Sequence, residues 1–170
     1  MGKLKEEIFS LIHGFLNENK AAEEEHFIRN LKNFIKTLSS SIPRNSVIIH
    51  TDGSSKGNPG PARIGIQFTD SQNNILLRES REIGIKTNNQ AEYTAVREAL
   101  KMALEKNYRN VVLFSDSQVV IHQLNNLYKI KDPGLRKFYD EIKKIMEKFE
   151  EIKLVHIKRE KNKTADILSN

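Results

Sequence analysis

The chain has 170 residues, 38% hydrophobic and 29% charged, with 8 Gly and 4 Pro; this excludes a disordered or fibrous protein and fits one domain with a small appendage. It contains no cysteine, which excludes disulfides, thiolate metal ligands and a thiol nucleophile and agrees with a reducing compartment. Lys and Arg number 28 against 22 Asp and Glu, and the net +6 points to an anionic partner such as nucleic acid; residues 1–41 hold six of each sign, so the excess lies in residues 42–170.

Residues 1–41 are expected to form a helical hairpin. Leu4, Ile8, Leu11, Ile12 and Phe15 recur at three- and four-residue spacing, as do Phe27, Ile28, Leu31, Phe34, Ile35 and Leu38, with a polar break at Asn17-Glu18-Asn19-Lys20. A unit this small cannot bury both stripes by itself. They pack on each other, on the rest of the chain or on a second copy, so self-association through these helices is one expectation. Lys3, Lys5, Glu6 and Glu7 interrupt any signal-like stretch, and no apolar run approaches the roughly 20 residues of a membrane span. No membrane partner and a cytoplasmic location are therefore expected. Residues 42–46, with Pro43 following three serines, read as a linker, and residues 47–170 as the main domain.

That domain opens with a β-rich run, Val47-Ile48-Ile49-His50-Thr51, and a Gly/Pro loop at Gly57-Asn58-Pro59-Gly60-Pro61. Residues 64–68 alternate as a second strand, and residues 75–83 offer a third, giving an antiparallel meander. A helix is predicted over 91–104, a buried strand over 111–114, helices over 117–127 and 133–149, and a strand over 152–157. A final helix from Thr164 is barely one turn long. A meander followed by β/α alternation implies a mixed sheet with helices on its faces.

Four carboxylates stand at element ends. Asp52 is read as ending the first strand, where a covered carboxylate must be paired, hydrated or metal-bound; alternatively Asp52-Gly53 is a turn dipeptide. Glu92 heads the stripe Val96, Ala99, Ala103, although Asn89-Gln90-Ala91-Glu92 also matches a capping box. Asp116 follows the buried strand, where open α/β sheets place their sites, unless it or Ser115 caps the next helix. Asp166 follows Thr164, a plausible cap, and a first-turn Asp also complements the helix dipole. The ordinary explanations are independent, whereas one functional explanation covers all four. Crowded carboxylates repel until some take up protons, and divalent cations relieve this; oxygen ligands favour Mg²⁺ or Mn²⁺. Two such ions about 3.5–4 Å apart would suit phosphodiester hydrolysis.

Thr51-Asp52-Gly53-Ser54-Ser55-Lys56-Gly57-Asn58-Pro59-Gly60-Pro61, Thr87-Asn88-Asn89-Gln90-Ala91-Glu92-Tyr93, Ser115-Asp116-Ser117-Gln118 and Asn162-Lys163-Thr164-Ala165-Asp166-Ile167-Leu168 resemble, in that order, the motifs of the type 1 ribonuclease H family, over about residues 46–170. The resemblance implies an α/β fold with a five-stranded mixed sheet, the second strand antiparallel, and helices on both faces. It implies metal-dependent endonucleolytic cleavage of the RNA strand of RNA/DNA hybrids, leaving 5′-phosphate and 3′-hydroxyl ends, with two Mg²⁺ or Mn²⁺ ions per site. Asp52, Glu92, Asp116 and Asp166 then correspond to the metal-binding catalytic carboxylates. Gly53, Ser54, Glu92 and Gln118 correspond to RNA-side contacts, and Asn58, Thr87 and Asn88 to polar contacts with the hybrid, capping remaining the alternative for Asn88 and Asn89. Two other classes stay open: a catalytically silent nucleic-acid-binding module, and a related nuclease acting on DNA or double-stranded RNA.

The chain departs from the family pattern in three places. Many members carry a mobile His in a glycine-containing loop before the last Asp; here His156 alternates with Ile152 and Leu154 as a strand residue, leaving Arg159 or Glu160 at the loop position. The basic handle of some members is absent between the second and third helices, as in handle-less members. Lys129, Lys131, Arg136, Lys137, Lys143, Lys144 and Lys148 are available for phosphate or simply for a solvated face. Residues 1–41 lack the pattern of the small hybrid-binding domain found ahead of some members.

Overall fold

A computed structural model describes residues 46–170; the expected hairpin and most of the expected linker lie outside the described residues. Five strands form one mixed sheet in the order β3-β2-β1-β4-β5: β1 (Ser46–Ser55), β2 (Gly60–Thr69), β3 (Ile75–Lys86), β4 (Asn110–Ser115) and β5 (Glu151–His156). β2 runs antiparallel to both β1 and β3, while β4 is parallel to β1 and to β5, so the sheet is the one the motifs imply. Four helices accompany it: α1 (Asn88–Glu105), α2 (Gln118–Leu124), α3 (Pro133–Met146) and α4 (Lys163–Ser169). Among the described residues no helix is long and apolar enough to cross a membrane.

The β1–β2 register determines which helix covers which face. Asp52 is opposite Gly65 and Gly53 is opposite Ile64. Directly opposed residues share a face and successive residues alternate, so Gly53 and Gly65 point to opposite sides of the sheet. A Cβ on Gly53 would lie 2.3 Å from the Ala91 carbonyl carbon, and one on Gly65 would lie 2.2 Å from the Ala165 carbonyl oxygen. The start of α1 therefore presses on one face and α4 on the other, each at a point where only glycine admits the approach.

The main core lies under α1. Val47, Ile49, Ile64, Ile66, Phe68 and Leu113 from the sheet meet Tyr93, Val96, Ala99 and Leu100 of α1, with Ile121 and Leu124 of α2 and Ile142 of α3 closing the cluster. The apolar face headed by Glu92 is thus the face that packs on the sheet. Asp132 caps α3 by accepting from the Gly134 and Leu135 amides, with Pro133 preset at the first helical position. Past the end of α1, Asn107 takes a left-handed φ of 60°, the conformation that stops a helix.

Several boundaries differ from expectation for reasons of pairing and capping. β1 does not end at Asp52. Its parallel pairing with β4 stops at Thr51–Ser115, but its antiparallel pairing with β2 continues to Ser55–Ala62, so Asp52-Gly53 is strand and not a turn. α2 ends at Leu124 because Asn126 takes a positive φ and the Leu127 amide turns back to the His122 carbonyl. α4 runs seven residues, about two turns, after a 3₁₀ turn at Arg159–Lys161 that periodicity did not reveal.

Candidate active site

Capping at α1 decides what Glu92 is free to do. Thr87 is the cap: its hydroxyl accepts from the Gln90 amide at 3.3 Å, and the Gln90 side chain accepts from the Thr87 amide at 3.0 Å. The capping box therefore starts two residues earlier than Asn89, and Glu92 has no capping duty. Instead its carboxylate accepts the Gly53 amide at 3.2 Å, across the close approach of β1 and α1.

Asp116 is not a cap either. Ser117 takes the cap position of α2 without a side-chain bond, and its amide donates to the Ser115 hydroxyl. Asp116 accepts 2.7 Å from Asn162 Nδ2, which also donates to the Thr51 carbonyl at 2.9 Å. Buried Asn162 therefore ties the approach to α4 to the middle of β1 and to the residue following β4. Asn162 also occupies the cap position of α4, where Thr164 was expected, and it makes no side-chain capping bond there.

These placements bring three acids together. One carboxylate oxygen from each of Asp52, Glu92 and Asp116 lies within 4.8 Å of the others. Asp52 and Glu92 are only 6% and 7% exposed. Burial pushes the Asp52 carboxyl up to about 6; a hydrogen bond from Ser169 opposes this, and the charges of Asp116 and Asp166 add to it. Glu92 is raised well above its ordinary value, first by burial and then by the charges of Asp52 and Asp116.

Asp166 stands apart from the three. Its carboxylate is bonded by the Arg159 guanidinium at 2.5 Å, although its charge still acts on Asp52. Arg159 is largely exposed, and its side chain, one of the two expected at the loop position, is committed to Asp166. His156 ends β5 opposite Ser115 and packs edge-on to His122, so it is a strand residue as its alternation implied.

The remaining expected contact residues each have partners within the protein. Asn58 accepts from the Asn88 amide at 3.0 Å, which joins the Gly/Pro loop to the start of α1 beside Thr87. Gln118 opens α2, with its side-chain amide 3.4 Å from the Tyr128 hydroxyl. The Gly53 amide serves Glu92, and the Ser54 hydroxyl donates to the Ser169 carbonyl, so both residues have structural partners in this arrangement. Motif reading missed the bonds made by Asn162 and Ser169. Asn162 opens the last motif, and Ser169 follows Asp166 at i+3, on the same helical face.

Asp52 and Glu92, whose burial disfavours their charge, face each other and Asp116 while the Arg159 guanidinium is held on Asp166, and together they form a site suited to a cation. Carboxylate oxygens alone fit a hard divalent ion.

A family model described as reverse transcriptase-like matches residues 50–170. The ribonuclease HI of Halobacterium salinarum is 36% identical over 119 residues, 70% of this chain and 60% of that protein. A crystal structure of ribonuclease H1 from the same organism superposes with a TM-score of 0.72 at 35% identity, covering 74% of this chain and 95% of that one. The bifunctional protein Rv2228c of Mycobacterium tuberculosis is 34% identical over 125 residues, 73% of this chain and 34% of that protein. LC11 ribonuclease H1, solved in complex with an RNA/DNA hybrid, superposes with a TM-score of 0.69 at 41% identity, over 73% of this chain and 94% of that one. The chain spans less than two thirds of the length of these two curated relatives.

Proposed function

Because the chain belongs to the reverse transcriptase-like family, with type 1 ribonucleases H as its relatives, we propose that it hydrolyses the RNA strand of RNA/DNA hybrids, leaving 5′-phosphate and 3′-hydroxyl ends. The observation that carries this reading is the convergence of Asp52 within β1, Asp116 just past β4 and Glu92 near the start of α1. Metal binding is assigned to these three acids together with Asp166, which joins them by turning from Arg159. Two Mg²⁺ or Mn²⁺ ions are the cofactors in this reading, and they supply an activated water and charge stabilisation on the leaving oxygen.

The protein's own part is placement. β1 and β4 fix Asp52 and Asp116 through the parallel ladder, and the Gly53 amide orients Glu92. Gly53, Ser54 and Gln118 are assigned to the RNA side, where a contact to the 2′-hydroxyl distinguishes ribose from deoxyribose. Asn58, Thr87 and Asn88 are assigned to the hybrid's backbone, on the strength of the bond between Asn58 and Asn88 beside the Thr87 cap. The basic excess of residues 42–170 supports phosphate binding around an acidic centre. A cytoplasmic location and self-association through residues 1–41 complete the reading, from the absence of cysteine and from the apolar stripes.

The test is cleavage of matched RNA/DNA, RNA/RNA and DNA/DNA duplexes with Mg²⁺, Mn²⁺ or chelator. Only the hybrid's RNA strand should be cut, chelator should abolish cutting, and Asp116→Asn should lower the rate by about 100-fold or more, since even loss of a residue supporting a metal ligand costs 10–100-fold. Binding without cleavage would make the chain a silent module. Cutting of DNA or double-stranded RNA would place it with other nucleases, and near-normal activity of Asp116→Asn would sink the carboxylate mechanism.

A further inference from the structure

Each of the three converging carboxylates meets one protein donor. Glu92 has the Gly53 amide, Asp116 has Asn162 Nδ2, and Asp52 has the hydroxyl of Ser169, the last residue of α4. We infer that Ser169 is a positioning residue for Asp52: its hydroxyl fixes the orientation of that carboxylate and thereby sets the affinity of the site for a divalent cation. This inference rests on Asp52 being a metal ligand, as proposed above.

Ser169 is fully buried, so its hydroxyl needs a partner inside the protein. Two acceptors are in reach, Asp52 Oδ2 and the Asp166 carbonyl oxygen at 2.9 Å. One hydroxyl proton can serve only one of them, and an ionised carboxylate is the stronger acceptor, so donation goes to Asp52 whenever that acid is charged. No other hydroxyl or N–H among the described residues donates to the Asp52 carboxylate.

The donor is itself firmly placed. The Ser54 hydroxyl donates to the Ser169 carbonyl, and the Ser80 hydroxyl donates to the Leu168 carbonyl. Gly65 brings β2 so close that a Cβ there would lie 2.7 Å from the Ser169 amide nitrogen. Strands β1, β2 and β3 thus all locate the last turn of α4, which in turn holds Asp52. A ligand oriented in advance loses less freedom when the ion binds.

The test is calorimetric titration of Mn²⁺ into the metal-stripped full chain without substrate, alongside hybrid cleavage as a function of Mn²⁺. Ser169→Ala should bind Mn²⁺ about tenfold or more weakly and need correspondingly more Mn²⁺ for half-maximal cleavage, with KM for the hybrid unchanged at saturating metal. Ser169→Thr, which keeps the hydroxyl, should restore affinity. Ser71→Ala, at an exposed serine in the turn between β2 and β3, should bind like the wild type. A folded Ser169→Ala protein whose Mn²⁺ affinity stays within about twofold of wild type overturns the inference. If Ser169→Ala does not fold, Ser169→Cys, a much weaker donor of similar size, is compared with Ser169→Thr: weaker binding by Cys supports the inference and equal binding overturns it. Asp52→Asn separates the two levels. If it keeps wild-type Mn²⁺ affinity, the metal-site reading fails; if it loses Mn²⁺ while Ser169→Ala does not, only the positioning role fails.

Discussion

Asp52 carries a cost that depends on pH and that a bound cation would relieve. Its carboxyl is raised from 3.8 to about 6, with burial as the largest cause. Below about pH 4 the group is protonated in both folded and unfolded chains and contributes nothing unfavourable. As pH rises through about 6, the folded chain gives up a proton that the unfolded chain lost earlier, and the buried charge then weighs fully against folding. The raised Glu92 acts in the same direction. Metal-free Asp52→Asn should therefore melt higher than metal-free wild type at pH 7, by about 5 °C, with the gap closing toward pH 4. A gap independent of pH in thermal melts would show that Asp52 is not destabilised by its charge. The same residues show what sequence can and cannot reveal about an acid. All four carboxylates were visible as candidates, but both Asn89–Glu92 and Thr87–Gln90 match a capping box, and only the folded chain chooses the second.

α4 is seven residues long and makes no side-chain cap, so it depends on packing rather than on intrinsic helix stability. Its seat is Gly65 on β2, where a Cβ would fall 2.2 Å from the Ala165 carbonyl and 2.7 Å from the Ser169 amide. Both are backbone atoms and cannot rotate away. Gly65→Ala should push α4 off the sheet, lowering stability by about 1–3 kcal/mol in urea denaturation, and should also impair cleavage because Asp166 and Ser169 move with the helix. Wild-type midpoint and rate in this variant would mean that α4 does not hold the site. The length of α4 was underestimated because its apolar contacts are with β1 and β2, far away in sequence, and not with a repeating face of its own. β1 was likewise read as ending too early, because its last residues pair only with β2.

The main domain has its own sheet, its own core and the whole basic excess of the chain. Residues 1–41 are electrically neutral and carry apolar stripes, a composition suited to association rather than to phosphate binding. Deleting residues 1–41 should leave hybrid cleavage within about threefold of wild type, since a domain with its own core folds and functions alone. The same deletion should reduce the mass measured by light scattering to that of a monomer. An unchanged mass would remove self-association, and a large loss of hybrid affinity would show that these residues bind substrate.

The sequence by itself determined the order of strands and helices in the main domain, the antiparallel meander, and the four acids as one group of candidates. Periodicity, turn residues and motif spacing are local properties, and they survive without knowledge of the fold. Only the tertiary structure decided which acids meet. Asp52 and Asp116 adjoin because β4 inserts beside β1, Glu92 reaches them because Gly53 lets α1 touch the sheet, and Asp166 is instead held by Arg159. The hydroxyl of Ser169 reaches Asp52 only because α4 folds back onto β2. Side-chain partners depend on distances between segments far apart in the chain, and those distances are set by strand order and close packing, which no local pattern records.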